Sequence, residues 1–363
     1  MDLILLCSIL IHTLSNSFGI IFNVLLIFLV VKKTPQQLKT YSILIFNFAL
    51  CDLFACSAAL LVQQRASLKK NLPSNHSVTT KFVSTVDSFV VFRIISGGKE
   101  LYLIFHGPCR LVGAEFCFVI HSFALHCYAH TLWSLLFSFS YRFYVLKRTP
   151  PKNSVIVTII LVMYVPSFLQ FISFCFANEK EAELKVLIKE NFGYDVRSEC
   201  VGGSRNILSW RSLPPILHMT LLVTPIYIAI HVFRKIYHFP VRYGNGYVRE
   251  KSTSSFPATS GYSQIQHFQA LTAQACLPVF FLFAVIVYAI EQLDIIRHPL
   301  FEYSCFILVG FIPMLSPLTS FLFIRPYNIW IKETLLRRPK VSSTIKVSTV
   351  ASTTRTGDLN IML

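Results

Sequence analysis

Ionisable and hydrogen-bonding side chains are scarce in the long apolar stretches of this chain, so the few that occur there are its first candidates for chemistry. Asp52 is the one acid that lies deep in such a stretch, and Asn47 precedes it by five residues. A buried carboxyl group of this kind either belongs to a hydrogen-bonded polar layer or acts as a protonatable or ion-binding switch. The residues leave both interpretations of Asp52 open.

Two histidines, His126 and His130, are four residues apart, a spacing that can bind a metal ion. No carboxylate or thiolate ligand accompanies them. The sequence also shows no pair of nucleophile and base, no phosphate-binding loop and no group of four metal ligands. We therefore expect inward-facing, hydrogen-bonding histidines, no metal site, no cofactor and no enzymatic activity.

The same segment carries a polar side chain at every fourth position, namely Ser122, His126, His130, Ser134 and Ser138. Residues at this spacing lie on one face of an α-helix. The pattern therefore predicts a helix whose polar face points into a bundle and which occupies the bundle centre.

The elements that must position these residues are long apolar segments. Hydrophobic residues make up 54% of the 363 residues and charged residues only 14%, against about 25% charged residues in soluble domains. About 20 apolar residues cross a bilayer, and backbone groups in lipid must form helices. The sequence predicts an all-α membrane protein with a bundle of seven transmembrane helices within residues 1–340 and a disordered cytoplasmic tail at 341–363. The predicted spans are residues 3–31, 41–62, 111–141, 155–177, 213–233, 268–290 and 303–324.

The distribution of basic residues predicts the orientation of the bundle. The connections 32–40, 142–154 and 234–267 and the tail from residue 325 together hold 19 Lys and Arg against 3 acidic residues. Loops rich in Lys and Arg remain in the cytoplasm. We therefore expect an extracellular amino terminus and a cytoplasmic carboxyl terminus. The net charge of +16 then belongs to the cytoplasmic face and does not indicate binding to nucleic acid.

Ten cysteines occur, and eight of them lie in the predicted spans or at their edges, where a free thiol behaves as a small hydrophobic group. Cys109 and Cys200 are expected outside the membrane, in the oxidising compartment. These two either form a disulfide, which would hold the loop before the fifth span over the mouth of the bundle, or remain free thiols.

Several motifs resemble those of rhodopsin-like G-protein-coupled receptors. Asn23 in the first span, the Asn-x-Ala-x-x-Asp of residues 47–52 and Arg142 at the end of the third span match that pattern. Tyr141 replaces the acid that usually precedes the arginine, and Ser316-Pro317 replaces the usual Asn-Pro. The sixth span also lacks its usual tryptophan. The resemblance implies roles in activation and G-protein coupling for Asn23, Asn47, Asp52, Tyr141, Arg142 and Pro317.

A closer resemblance, along nearly the whole chain, is to the nematode serpentine chemoreceptors of class delta, the Srd family. It rests on a set of shared phrases, among them Leu38-Lys-Thr-Tyr-Ser-Ile-Leu, Leu61-Val-Gln-Gln-Arg65, Gly107-Pro-Cys, Ser138-Phe-Ser-Tyr-Arg-Phe-Tyr-Val-Leu146, Tyr164-Val-Pro-Ser and Gln274-Ala-Cys-Leu-Pro. The resemblance implies a multi-pass receptor in the plasma membrane of a sensory neuron, in its cilium. Such a receptor binds a small environmental chemical and signals through a heterotrimeric G protein.

The first outer loop is longer than this resemblance implies. Residues 66–97 are extra, and residues 82–95 within them form an apolar run that is too short to span a bilayer. The loop 63–110 is also the one connection that breaks the charge pattern, with seven basic and two acidic residues. We hypothesise an insertion foreign to the fold, such as a translated intron. The sequon at Asn75 is a glycosylation candidate that depends on this segment being present in the protein.

The ligand is expected in the extracellular half of the bundle. A site of this kind is mostly apolar with a few polar groups. The candidates by depth are His121, Ser122, His126, His218, Tyr288 and Tyr303. A multi-pass transporter and a ligand-gated channel are the alternative functions. A transporter usually shows internal repeats and interrupted helices with charged groups, and a channel of the insect odorant type has an intracellular amino terminus.

Overall fold

Long helices account for most of the described chain. The computed structural model describes residues 3–62, 93–97, 100–105, 107–193, 196–218, 277–290 and 299–335, together with residues 221, 293 and 295. Within these residues the helices are α1 (Leu3–Lys33), α2 (Lys39–Val62), α3 (Ala114–Lys147), α4 (Asn153–Cys175), α5 (Glu181–Phe192), α6 (Leu277–Ile290), α7 (Pro299–Phe323) and α8 (Arg325–Thr334). The strands are β1 (Arg93–Gly97), β2 (Glu100–Phe105) and β3 (Cys200–Ser204).

The described helices confirm the predicted seven-helix bundle. Among them α1, α2, α4 and α7 contain stretches long and apolar enough to cross a membrane. The 34-residue α3 is the longest of the described helices, but its histidines and serines lower its mean hydropathy. The fifth predicted span begins with the helical residues 213–218, and α6 covers the second half of the sixth. The remaining parts of these two spans lie outside the described residues, apart from residue 221.

The third helix differs most from its predicted bounds. It begins at Ala114 rather than at residue 111, because a 3₁₀ turn, Pro108–Leu111, comes first and Gly113 takes a φ of +142° between the two. An L side chain rarely adopts this backbone conformation, so the glycine separates turn from helix. At its other end α3 continues to Lys147 rather than stopping at residue 141.

The packing order places α2 and α3 inside the bundle. α1 packs against α2 and α7, α2 also packs against α3 and α7, and α3 packs against α4. Gly19 lets α1 approach closely, since a Cβ atom at this position would lie 2.5 Å from Cys56 Sγ of α2. α4 is peripheral, and its exposed apolar face includes Leu161, Val162 and Leu169, each at least 60% exposed. A bilayer would cover this face.

A three-stranded antiparallel sheet lies at one end of the bundle, here called the sheet end. β2 is the central strand and pairs with β1 and β3. The short helix α5 packs against β3, and α3 contacts the same strand. Leu184 and Ile188 of α5 form a small apolar core with Tyr102 and Ile104 of β2. Two of the connections at this end are therefore folded together into one cap, which the prediction of an all-α protein did not include.

Polar contacts hold the cap together. The Tyr102 hydroxyl donates to Glu100 at 2.8 Å, and the side-chain amide of Asn191 in α5 donates to the same carboxylate at 2.9 Å. Burial raises the pKa of the Tyr102 hydroxyl. Arg205 forms an ion pair with Glu179 at 2.9 Å and a second one with Glu183. These side chains are partly exposed, so we expect the ion pairs to contribute little to stability.

The predicted disulfide between Cys109 and Cys200 is wrong. Cys109 is bonded to Cys117 instead, with 5.2 Å between the two Cα atoms, and Cys200 is a free thiol in β3. The reason is local: the 3₁₀ turn that contains Cys109 folds back onto the first turns of α3, where Cys117 lies. Cys117 is thus not the small hydrophobic group that its place in the third span suggested. Burial raises the pKa of the Cys200 thiol to about 11.

The seventh predicted span is followed directly by a short helix. α7 contains Pro313 and Pro317 and stops at Phe323, and α8 then begins with Pro326 in its first turn. The hydroxyl groups of Tyr327 and Thr34 are 2.7 Å apart, and Tyr327 is fully buried. α8 is therefore fixed to the end of α1, opposite the sheet end.

Only the last part of the suspected insertion is described. β1, which comprises Arg93–Gly97, pairs along its whole length with β2. Asn75, the glycosylation candidate, lies outside the described residues. Whether the segment is foreign to the fold stays a hypothesis.

Candidate functional site

Asn23 of α1 and Pro317 of α7 are linked through one backbone carbonyl group of α7, that of Pro313. A proline has no backbone N–H, so Pro317 leaves the carbonyl of Pro313, four residues earlier, without its helical donor. The side-chain amide of Asn23 donates to this carbonyl at 2.9 Å and also to Gly19 of its own helix at 2.8 Å. Asn23 is fully buried. It therefore satisfies a backbone group that the proline frees in the interior of the bundle.

Asp52 lies next to this contact, in a polar layer that joins α2, α3 and α7. The Thr131 hydroxyl donates to Asp52 Oδ1 at 3.1 Å. The hydroxyl of Ser316, the residue before Pro317, lies beside the same carboxyl group. Asp52 is only 1% exposed. The layer thus connects the acid to the part of α7 that contains its two prolines.

Asn47 joins α2 to the polar stripe of α3. Its amide donates to the Ser134 hydroxyl at 2.8 Å and lies 3.2 Å from His130 Nε2. The His130 ring also stacks on Tyr164 of α4, with 3.7 Å between ring centroids. Asn47 and His130 therefore fix the crossing of three helices.

The predicted polar stripe of α3 is confirmed. Its five members are each at most 5% exposed, namely Ser122, His126, His130, Ser134 and Ser138. His126 lies among the rings of Phe123, Tyr164, Phe168 and Phe171, at centroid distances of 5.4–6.3 Å. Among the described residues, no three His, Cys, Asp or Glu side chains are grouped so that they could hold a metal ion.

His218 belongs to a separate hydrogen-bonded group between α3, α4 and the start of the fifth span. The Trp133 indole N–H donates to His218 Nε2 at 2.9 Å, and His218 Nδ1 is hydrogen-bonded to the Gln170 carbonyl oxygen. An uncharged imidazole with its proton on Nδ1 satisfies both contacts. His218 therefore serves to link three helices.

A small, partly open cavity lies at the sheet end between α1, α2, α3 and α7. His12, His121, Tyr128 and Phe306 line it together with small and aliphatic side chains, Ala59, Val62, Ala124 and Leu125. The space open to the centre of a water molecule is about 20 Å³, and one buried water needs about 10–15 Å³. The rings of His121 and Phe105 of β2, 6.5 Å apart, bring the cap close to this cavity.

The candidate ligand residues whose side chains are described lie in different parts of the bundle. His121 lines the cavity, whereas the Ser122 hydroxyl donates to Phe118 of its own helix at 2.8 Å. His126 and His218 contact α4, and Tyr288 of α6 packs against the apolar core that surrounds α3. Tyr303 is in α7, but its side chain lies outside the described residues.

The prediction missed His12. This residue is 5% exposed and lines the cavity from α1. The signal was present in the sequence, because Ser8, His12 and Asn16 are four residues apart within an apolar helix. All three are buried, at 6%, 5% and 0% exposure. The first span therefore has a polar face of its own, directed into the bundle.

At the opposite end of the bundle, Tyr141 is buried and stacks on Tyr41 of α2, with ring centroids 6.2 Å apart. This contact replaces the ion pair that an acid at position 141 could have made with a neighbouring cation. Arg142 follows in α3, and its side chain lies outside the described residues.

Comparison with known proteins agrees with this geometry. Residues 8–74 and 68–333 match the family described as serpentine type 7TM GPCR chemoreceptor Srd. The chain belongs to this family of serpentine receptors. It is 33% identical to serpentine receptor class delta-3 of Caenorhabditis elegans over 93% of this chain and 91% of the relative. Serpentine receptor class delta-1 of the same organism is also 33% identical, over 88% of this chain and 77% of that protein.

A solved structure gives the same fold. The crystal structure of squid rhodopsin superposes with a TM-score of 0.57 and covers 91% of this chain and 85% of the rhodopsin chain, at 12% sequence identity. At this identity the likeness extends to the fold alone. The serpentine receptor is therefore a GPCR-like, multi-pass membrane protein. Its two matches to the family overlap at residues 68–74, which lie within the suspected insertion.

Proposed function

We propose that this serpentine receptor detects a small environmental chemical and signals through a heterotrimeric G protein. The observation that carries the proposal is membership of the Srd chemoreceptor family over residues 8–333. The rhodopsin-like arrangement of helices supports it. We further propose that the protein resides in the plasma membrane of a sensory neuron.

The sheet end is the extracellular end in this proposal. The disulfide between Cys109 and Cys117 lies there, and disulfides persist outside the cytoplasm. At the opposite end, exposed basic residues lie at the ends of the helices, namely Lys32, Lys33, Arg148 and Lys152. Such residues favour the cytoplasmic side. The amino terminus is then extracellular and the carboxyl terminus cytoplasmic.

The polar layer links the two ends. A ligand that binds at the sheet end shifts the population toward a state in which the cytoplasmic end accepts a G protein. α7 is the element best suited to transmit this shift, because Pro313 and Pro317 remove two of its helical donors. Asn23 and the Asp52 layer hold the proline-containing part of α7 in the described state. In a second state of the receptor, Asn23 and Asp52 require other hydrogen-bond partners.

Arg142 is assigned to the G-protein interface, with the basic connection 234–251. A test expresses the receptor with a G protein that reports through calcium or a cyclic nucleotide and screens a panel of small chemicals. The receptor is expected to respond to at least one of them, and Arg142→Ala is expected to reduce the response at least tenfold at equal surface expression. Arg148→Ala is the matched control, since it removes the same charge from an exposed position just after α3. An unchanged response of Arg142→Ala contradicts the coupling role of this residue.

A further inference from the structure

A turn of the cap, residues 204–213, presents large apolar side chains to the outside of the protein. Trp210 is 74% exposed and Leu208 is 59% exposed, and Phe176, which follows α4, is 65% exposed. An exposed tryptophan leaves a large apolar surface in water unless another surface covers it. Tryptophan is also enriched where a membrane meets water. The position of the turn relative to the bilayer therefore determines what covers these side chains.

The inner side of this turn is fixed to the protein. Ile207 belongs to the apolar core that surrounds α3. Ser212 is fully buried, and its hydroxyl donates to the Ser204 hydroxyl of β3 at 3.0 Å. Leu208 and Trp210 lie between these two buried positions. Their exposure therefore follows from the structure of the turn, because residues on both sides of them are held inside.

The turn lies against the last residues of α4, at the sheet end. The Ser173 hydroxyl of α4 donates to the Arg211 carbonyl at 3.0 Å, and the Arg211 guanidinium group donates to the Phe176 carbonyl at 3.5 Å. α4 has 23 residues and begins directly after Lys152, at the basic end of the bundle. A helix of this length is about 34 Å long, slightly more than the roughly 30 Å of the hydrocarbon core. Its last residues, and the turn with them, therefore reach the level of the lipid headgroups.

The exposed side chains of the turn continue the lipid-facing surface of α4. Leu169, Ile172 and Phe176 are all exposed, and their spacing of three and four residues places them on one face of the helix. Phe176 still has a right-handed helical backbone. Arg211 connects this face to the turn, because its guanidinium group contacts the Phe176 carbonyl and lies 5.1 Å from the centre of the Trp210 ring. The bilayer that covers α4 therefore extends to Trp210.

Arg211 supplies a charge that is complementary to a phospholipid headgroup. Its side chain is exposed, and among the described residues no acidic side chain forms an ion pair with it. Arg205, in contrast, is paired with Glu179 and Glu183. A guanidinium group has five N–H donors in a planar arrangement and binds phosphate oxygens in pairs. A phosphate group at the membrane surface therefore fits the remaining donors of Arg211.

We propose that the turn 204–213 anchors the cap to the membrane leaflet at the sheet end and that Arg211 binds the phosphate group of a phospholipid there. Leu208, Trp210 and Phe176 lie among the ester groups and the first carbons of the acyl chains. The interaction requires neither a chemical ligand nor a G protein, so it is independent of the proposed receptor function. It holds the cap at a fixed depth relative to the bundle.

The depth of Trp210 in the membrane tests the apolar part of the anchor. Full-length wild type and Trp210→Phe are placed in phosphatidylcholine nanodiscs, one receptor per disc, with a spin label either near the lipid ester groups or in the middle of the bilayer. The difference in fluorescence between the two proteins isolates Trp210 from Trp133 and Trp330. The label near the ester groups is expected to quench Trp210 about threefold more strongly than the deep label. A deep label that quenches equally well, or quenching by aqueous acrylamide as strong as for free tryptophan, overturns the proposal.

A second copy of the receptor is the competing occupant of this surface. Discs that hold two receptors are expected to give the same quenching of Trp210 as discs that hold one. Protection of Trp210 from acrylamide that occurs only with two receptors per disc would assign the surface to a receptor contact and overturn the membrane anchor.

Lipid retention tests the role of Arg211. Native mass spectrometry counts the lipids on full-length receptor in detergent with equal amounts of phosphatidylcholine and a galactolipid, which has no phosphate. Arg211→Gln is expected to lower the retained phosphatidylcholine by about one molecule per receptor and to leave the galactolipid unchanged. Lys189→Gln, which removes an exposed cation from α5, is the matched control and is expected to retain as much phosphatidylcholine as the wild type.

Two results of this measurement would refute the assignment of Arg211. Equal retention of phosphatidylcholine in the wild type and Arg211→Gln overturns its contact with lipid phosphate. Displacement of the phosphatidylcholine by excess inorganic phosphate would show that the group binds a free anion, and it would overturn the assignment to the membrane. Inorganic phosphate is expected to leave the retained lipid unchanged.

Discussion

At the scale of single residues, the contact between Asn23 and the carbonyl of Pro313 explains why two separate sequence motifs belong together. The asparagine in the first helix and the proline in the last one are 294 positions apart. The proline removes a hydrogen-bond donor, and the asparagine replaces it at 2.9 Å. Burial makes the replacement necessary, because water cannot reach the carbonyl in the interior of the bundle.

This coupling predicts a non-additive double mutant. Asn23→Leu leaves the Pro313 carbonyl unpaired, so we expect it to lower the free energy of unfolding by about 1–2 kcal/mol. In a Pro317→Ala background the new backbone N–H can bond the same carbonyl, and the cost of Asn23→Leu is expected to fall by at least half. Thermal unfolding of the four variants in detergent measures the coupling. Additive effects in this cycle would contradict the pairing.

The histidines show the limits of inference from spacing at this scale. The four-residue interval between His126 and His130 predicts correctly that both lie on the buried face of α3. It does not reveal that His130 meets Asn47 while His126 lies among aromatic rings. Those contacts depend on which faces of α2 and α4 pack against α3. The sequence of one helix does not determine this.

At the scale of elements, apolar length predicts the long helices α1, α2, α3, α4 and α7, since each span must satisfy its own backbone in lipid. The sheet was not predictable in the same way. β1, β2 and β3 are five or six residues long and come from two different connections. Their hydrogen bonds exist only after the helices have brought the connections together, so the local sequence carries a weak signal for them.

The disulfide shows the same dependence on tertiary structure. Only the 3₁₀ turn before α3 brings Cys109 next to Cys117, while Cys200 is held in β3 opposite Phe105. The compartment of the cysteines could be inferred from the predicted topology. Which two cysteines are bonded depends on the path of the backbone, which the sequence pattern does not give.

The fold predicts which cysteines form a disulfide and how the free thiol of Cys200 reacts. Peptide mapping under non-reducing conditions is expected to recover Cys109 linked to Cys117 and Cys200 alkylated without prior reduction. Because the pKa of Cys200 is raised to about 11, its thiol is protonated at neutral pH and its alkylation rate should rise about tenfold per pH unit between pH 8 and 10. Recovery of a Cys109–Cys200 peptide would show that the described pairing is wrong.

At the scale of the whole molecule, the charge pattern and the cap support the proposed orientation of the bundle. The three connections and the tail that are expected in the cytoplasm hold 19 basic and 3 acidic residues, so their net charge equals the net charge of the whole chain. The cap, the disulfide and the cavity all lie at the other end. In the proposed function, the sheet end receives a chemical on one side of the membrane and the basic end faces the other side.

This arrangement predicts the location of both termini. An epitope tag at the amino terminus is expected to be stained on intact cells, and a tag at the carboxyl terminus only after permeabilisation. The carboxyl-terminal tag serves as the control for membrane integrity. An amino terminus that is stained only in permeabilised cells would contradict the proposed orientation and would favour a channel of the insect odorant type.

The most direct test of the receptor function is chemical-dependent nucleotide exchange. Membranes that contain the receptor and a heterotrimeric G protein are exposed to the chemical that gives the largest cellular response, and binding of a non-hydrolysable GTP analogue is measured. We expect binding to increase with the concentration of the chemical in the wild type and to remain at the basal level in Arg142→Ala. A chemical-evoked ionic current in membranes without G protein, with no increase in nucleotide binding, would contradict the account.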